Sequence, residues 1–368
     1  MADTRSNRPI ISRRQFAKAS ALATFVPAPF AAGGTCMGVT ACAASLSSAS
    51  AMLEIRPFQL MCVLCYLGEG RIKEVAPPRI REIFDIVQRD PVTPIRLRAN
   101  TDSVYRFQNP GLDENTPEGE LFNEKRDLDI IQKLGLVPGD SRPAVDMFER
   151  LWKHVPSASG ICGYSTVTDG AWRGCSRANS GYYEKGHALG LGAVILPRPA
   201  EEKATFKQES AAVIYESERL EIRPHHLMCM TCFFGGADEL APIEEDNLFE
   251  AIDVVQKNPD IPITLIRGTC MICPPCSRYD PTTGYCLGGR SMALRDQKKD
   301  LDVLQKLGLE YGDTLPAKRL FALLYDRISA TRDVCGWGDG VERAPEWSVC
   351  AKETRYSKGR DANLGIGR

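Results

Sequence analysis

The chain has 368 residues, of which 43% are hydrophobic and 25% charged, and its formal net charge is -1. That is enough apolar residue to bury more than one core and is not the composition of a disordered chain, while the balanced charge gives no electrostatic case for nucleic acid. Fourteen cysteines exceed what packing requires, so their spacing has to say what they are for.

The first element in chain order is an address. Ser12-Arg13-Arg14-Gln15-Phe16-Ala17-Lys18 sets paired arginines ahead of an apolar Ala/Leu/Phe/Val stretch, and small residues follow from Ala31 to Ala51. This resembles the twin-arginine signal, in which a receptor reads a basic segment and a mildly hydrophobic one that are later removed. The resemblance implies a leader over residues 1–50 and a protein exported already folded, with its cofactor in place, to the periplasm or the outer face of the cytoplasmic membrane. Val39-Thr40-Ala41-Cys42 also resembles a lipobox, which would make Cys42 a lipid anchor; cleavage near Ala43 would instead discard Cys36 and Cys42. No uninterrupted run of roughly eighteen apolar residues occurs, so no spanning helix is expected in the mature chain.

A duplication organises the rest of the chain. Leu53-Glu54-Ile55-Arg56-Pro57 recurs as Leu220-Glu221-Ile222-Arg223-Pro224, and each leads into Leu-Met-Cys-x-x-Cys, at Cys62/Cys65 and Cys229/Cys232. Phe84–Gln88 matches Ile252–Gln256, and the ten residues from Asp127 to Leu136 match those from Asp300 to Leu309. Matches in the same order mean two copies of one module. We therefore expect a first cysteine-rich module over 51–195, a linker over 196–216 that opens with the Pro- and charge-rich Leu196–Lys203, and a second module over 217–368.

Each copy predicts the same elements. A short strand (Leu53–Arg56; Leu220–Arg223) leads into a helix carrying C-x-x-C, and an amphipathic helix comes next (Ile83–Arg89; Leu248–Lys257). A second strand (Pro94–Leu97; Pro262–Ile266) precedes a helix closed by Gly135 or Gly308, and a last helix (Ala144–His154; Ala317–Ile328) runs into a loop-rich tail. Strand, helix, strand favours a parallel crossover. The expected fold class is α+β, with two repeated modules that each build a small sheet covered by helices.

Once Cys36 and Cys42 are set aside, twelve cysteines sort into three fours. The first copy holds Cys62, Cys65, Cys162 and Cys175; the second holds their counterparts Cys229, Cys232, Cys335 and Cys350. The second copy adds Cys270, Cys273 and Cys276, with Cys286 ten residues on, where the first copy has Asp102, Tyr105 and Gln108. C-x-x-C supplies two thiolates from one turn, and two such halves complete a four-thiolate site. C-x-x-C-x-x-C with a later fourth cysteine is the spacing of a 4Fe-4S cubane. The shared quartets suit iron–sulfur or zinc.

Disulfides are the competing reading, since the destination is oxidising and twelve is even. A bridge within C-x-x-C closes so short a loop that it is worth only about 2 kcal/mol, whereas a four-thiolate metal site supplies roughly 10–16 kcal/mol in zinc peptides. Modules of roughly 150 residues also need no staples. Haem attachment is excluded, because Tyr66, Phe233, Pro274 and Ser277 stand where C-x-x-C-H needs histidine.

Of four histidines, His225 and His226 are adjacent, just before Leu227-Met228-Cys229, where the first copy has Phe58 and Gln59. They are candidate metal ligands, hydrogen-bond donors to a cluster or proton acceptors, against a structural role at a helix start. Trp172 and Trp347, which precede Cys175 and Cys350, read as aromatics that shield a site.

Arg223-Pro224-His225-His226-Leu227-Met228-Cys229, Cys270, Cys273-Pro274, Cys286, Leu307-Gly308-Leu309 and Cys335 to Cys350 together resemble a small uncharacterised family of cysteine-rich bacterial and archaeal proteins. Its members open on Arg-Pro-His-His-Leu/Ile-x-Cys and are taken to bind iron–sulfur. The resemblance covers most of 220–350; Cys232, the Cys335–Cys350 spacing, the duplication and the leader depart from the pattern. It implies a cofactor more than a reaction. The expected function is an electron-transfer protein or redox-complex subunit with up to three 4Fe-4S clusters and a redox protein or membrane-bound redox complex as partner. The alternatives are a zinc- or disulfide-stabilised partner-binding module and a redox enzyme using His225 and His226 beside a cluster.

Overall fold

The computed structural model describes residues 52–100, 115–287 and 292–367; the leader, Cys36, Cys42, Asp102, Tyr105 and Gln108 lie outside them. The fold is α+β, as expected. In the first copy β1 (Leu53–Ile55), α1 (Pro57–Glu69), α2 (Ile72–Val75), α3 (Pro78–Arg89), β2 (Pro94–Leu97), α4 (Glu120–Leu134), β3 (Ser141–Pro143), α5 (Ala144–His154) and α6 (Tyr182–Ala188) follow one another. Next come α7 (Ala200–Glu216) and then β4 (Leu220–Ile222), α8 (His226–Gly236), α9 (Leu248–Lys257), β5 (Pro262–Leu265), α10 (Met292–Leu307), β6 (Thr314–Pro316), α11 (Ala317–Arg327) and α12 (Glu353–Asp361).

Each copy has one three-stranded sheet, β1-β2-β3 or β4-β5-β6. The crossover pair is parallel, with Ile55 opposite Leu97 and Ile222 opposite Leu265. The third strand, which periodicity does not reveal because it is three residues ending in proline, adds antiparallel. Alternation puts Leu53 and Ile55, and Leu220 and Ile222, into separate buried cores, one per copy. Gly135 and Gly308 close α4 and α10 at φ 67°, the left-handed conformation in which glycine has no Cβ to clash.

Two segments differ from expectation. The tails are not all loop: α6 packs on α1 and α12 on α8. Gly68 and Gly186 make the first crossing, and a Cβ on either would lie 1.9 Å from the other helix's backbone. Gly235 and Gly359 repeat it, at 1.9 and 2.1 Å. Tyr183 donates to the carbonyl of Val155 at 2.6 Å, and Tyr356 to that of Ile328 at 2.9 Å. The stretch between the copies is mostly the helix α7, which packs on α9. Arg198, just before it, donates to the carbonyls of Pro274 and Cys276. Arg142 and Arg150 of the first copy pair with Glu346 of the second, and Glu149 pairs with Arg278.

Candidate metal centres

The start of the cysteine helix is fixed the same way in both copies. Asp127 on α4 accepts from the guanidinium of Arg56 at 2.8 Å and from the backbone N–H of Phe58 at 3.1 Å. Asp300 on α10 accepts from Arg223 at 2.7 Å and from the N–H of His225 at 3.0 Å. A carboxylate facing unpaired N–H groups at a helix start is favoured by charge as well as hydrogen bonding. It sets the axis on which C-x-x-C sits.

With α1 so placed, Cys62 and Cys65 face Cys162 and Cys175 from the tail. The N–H of Cys175 donates to the carbonyl of Cys162 at 2.8 Å, closing the loop between them. All four line one cavity of about 370 Å³, more than ten times the ~30 Å³ share of a water molecule. In the second copy the N–H of Cys350 donates to the carbonyl of Cys335 at 3.0 Å, and the Cys229 thiol lies within electrostatic reach of Cys335, Cys232 and Cys350. The four cysteines of the first quartet thus meet at one cavity, and none of the eight cysteines of the two shared quartets is in a disulfide.

Burial is the largest influence on these thiols. It pushes Cys62 up, against the charge of Arg126, and Cys162 up to about 12, again opposed by Arg126. Cys335 is pushed up to about 11 by burial, opposed by Lys299. Such thiols ionise at neutral pH only if a cation takes the proton's place, which is what a metal does. Arg126 and Lys299 are themselves buried, on equivalent turns of α4 and α10. Arg126 stacks over Phe58 and Phe122, and its Nε has no hydrogen-bond partner. Nothing in the sequence pattern singles out this pair, since they read as ordinary helix-surface cations. Arg177 escapes sequence reasoning likewise; its Nε donates to the Cys65 sulfur at 3.5 Å.

The tryptophans flank the quartets half-buried. Trp172 stands edge-on to Tyr164, and Trp347 edge-on to Trp337.

The adjacent histidines take separate roles. His225 is buried, its Nδ1 2.7 Å from Asp300, and burial holds it down to about 4 despite that carboxylate; it is a neutral N–H donor that adds to the helix-start clamp. His226 turns the other way, its Nδ1 3.1 Å from the sulfur of Cys270. His226, Cys270 and Cys273 place one ligand atom each within 4.8 Å of one another. The Cys270 and Cys273 sulfurs are 3.9 Å apart.

The backbone pins this loop. The N–H groups of Cys273, Cys276 and Tyr279 each donate to the carbonyl three residues back, Asn247 holds the carbonyls of Met271 and Ile272, and Arg198 holds those of Pro274 and Cys276. Burial raises the Cys270 thiol, but the Cys273 hydrogen bond, the N–H groups of Arg223 and Ile272 and the Arg223 charge outweigh it and bring it below its ordinary value. In the first copy the matching N–H, of Arg56, donates to Gln59 at 2.9 Å. Cys276 follows in the same run of turns, within electrostatic reach of Cys273, and Cys286 lies across a bridge from Tyr279. Neither belongs to the three-residue cluster of His226, Cys270 and Cys273.

Comparison with protein families, with curated proteins and with solved structures returns no match.

Proposed function

We propose that the chain is an iron–sulfur electron carrier in which Cys62, Cys65, Cys162 and Cys175 hold one 4Fe-4S cluster and Cys229, Cys232, Cys335 and Cys350 another. The observation that carries this reading is that four free thiols from two remote segments gather twice in one arrangement, each time with a buried cation alongside. Four thiolates on a cubane carry net negative charge, and Arg126 and Lys299 are placed to offset it. The cluster takes up and releases one electron; the protein supplies ligands, a dry surrounding and N–H donors such as Arg177 to sulfur.

The leader motif Arg13-Arg14 supports a location outside the cytoplasmic membrane, where a redox protein or membrane-bound redox complex is the partner. Replacing both arginines by lysine is expected to leave the protein inside the cell; continued export would remove this part of the reading.

The test of the cofactor is an absorption spectrum with iron and acid-labile sulfide counts on anaerobically purified protein. Broad visible absorption with about eight irons and eight sulfides per chain is expected, four of each per shared quartet. Colourless protein without sulfide would overturn the proposal and leave a zinc- or disulfide-stabilised partner-binding module.

A further inference from the structure

We propose that the cysteines unique to the second copy do not hold a third cluster: His226, Cys270 and Cys273 form a three-ligand mononuclear site for a zinc-class divalent ion. This does not depend on what the shared quartets bind.

The geometry is that of one metal atom. Zinc bonds of about 2.3 Å to sulfur and about 2.0 Å to nitrogen at tetrahedral angles put two ligand sulfurs roughly 3.8 Å apart and a nitrogen roughly 3.6 Å from a sulfur. The Cys270 and Cys273 sulfurs are 3.9 Å apart and His226 Nδ1 is 3.1 Å from Cys270. A cubane ties each cysteine to a different iron at a different corner, which spreads the sulfurs well beyond that separation. Mixed nitrogen and sulfur donors at this spacing suit zinc.

The surroundings are built for a fixed site. Cys270 is buried, and its sulfur meets His226 Nδ1 and the Cys273 sulfur. The backbone N–H of Cys270 points back to the Cys273 sulfur at 3.3 Å, and that of Arg278 to the Cys276 sulfur at 3.4 Å. N–H groups aimed at sulfur stabilise thiolate and orient it as a ligand. His225, locked on Asp300, fixes the helix turn from which His226 projects. The first copy shows what the fold looks like without such a site: Gln59 occupies the position of His226 and caps the strand end. The ion would therefore tie the start of α8 to the loop that Arg198 also holds.

The experiment measures zinc, iron and sulfide together in full-length protein purified anaerobically, for wild type, His226→Gln and Cys273→Ser. Glutamine is the residue the first copy folds with, so His226→Gln removes the ligand without demanding a new local structure, and retained iron in the shared quartets reports that the variant is folded. One equivalent of zinc is expected in wild type and is expected to be lost in both variants, with iron and sulfide unchanged. Were the shared quartets to hold zinc as well, the same variants would still lower the total by one equivalent. Loss of about four irons and four sulfides in Cys273→Ser, or an unchanged zinc count in both variants, would overturn the proposal. Cobalt loading of apo protein then reads the ligands: absorption with thiolate charge transfer is expected in wild type and is expected to weaken in Cys270→Ser, and an unaltered spectrum in that variant would overturn the proposal.

Discussion

Arg126 and Lys299 occupy the same position of the repeat, each one residue before the aspartate that clamps the cysteine helix and each buried near thiols of its copy, Arg126 near Cys62 and Cys162 and Lys299 near Cys229 and Cys335. The position has kept its charge while the side chain changed. If each shared quartet holds the proposed cluster, Arg126→Met and Lys299→Met are expected to make the neighbouring one harder to reduce without moving the other. A unit charge 5–10 Å away is worth about 2–3 kcal/mol at an effective dielectric of about 20, or on the order of 100 mV for one electron. A spectroscopic redox titration of each variant checks this; a shift shared equally by both clusters would contradict it.

The two clamping aspartates are expected to titrate with opposite effect. Burial pushes Asp127 up to about 6, only partly offset by Arg56 and the Phe58 N–H. For Asp300 burial also acts upward, but the His225 hydrogen bond and Arg223 outweigh it, and the carboxyl falls below its ordinary value. A raised folded-state pKa favours the protonated form, so the stability Asp127 contributes is full below about pH 4 and declines as pH rises through 6. A depressed one does the reverse: the contribution of Asp300 is present above about pH 4 and is lost as pH falls below it. The advantage of wild type over Asp127→Asn in urea should shrink from pH 4 to 7. The advantage over Asp300→Asn should be on the order of 3–5 kcal/mol at neutral pH, the cost of leaving Arg223 buried without its partner, and should fall in acid.

The glycine crossings are expected to tolerate no Cβ. Gly186→Ala and Gly359→Ala put a methyl against the carbonyl of Leu64 and of Thr231, where backbone rather than a flexible side chain must give way. Overpacking of this kind costs about 1–3 kcal/mol in an adaptable core, and more is expected here. Because the pushed helix carries two of the four cysteines, the proposed cluster of the affected copy should be lost in parallel. Denaturation midpoint and iron content of each variant measure both effects.

Tyr183→Phe and Tyr356→Phe remove the same buried hydrogen bond from the two copies and leave a carbonyl unpaired, at about 1–3 kcal/mol each. Near-equal losses in urea denaturation are expected, since the two contacts differ by only 0.3 Å in length.

Much of the fold is legible in the sequence alone. Repeated motifs locate the copies, residues two apart give strand faces, and the flanking Gly135 and Gly308 give helix ends, because these are local signals. The cysteine spacing is legible because it is itself a local pattern that duplication shows twice. What stays hidden depends on contact between distant segments. Neither Gly68 nor Gly186 is unusual alone; only their meeting explains them. Arg126 and Lys299 look like solvated helix cations until the tail folds over them. The histidine pair looks like one feature, and the fold separates it by sending one ring to a carboxylate and the other to a thiol. The strands β3 and β6 are too short to show any period.

Each shared quartet takes its first two sulfurs from the opening helix of a copy and its last two from the tail, beyond every strand of that copy. On the ribosome, Cys62 and Cys65 emerge long before Cys162 and Cys175, and no four-sulfur site exists until the tail has emerged and docked through Gly186. On the proposed reading, metal loading would be the closing act of synthesis for each copy, and the first copy could receive its cofactor while the second was still being translated.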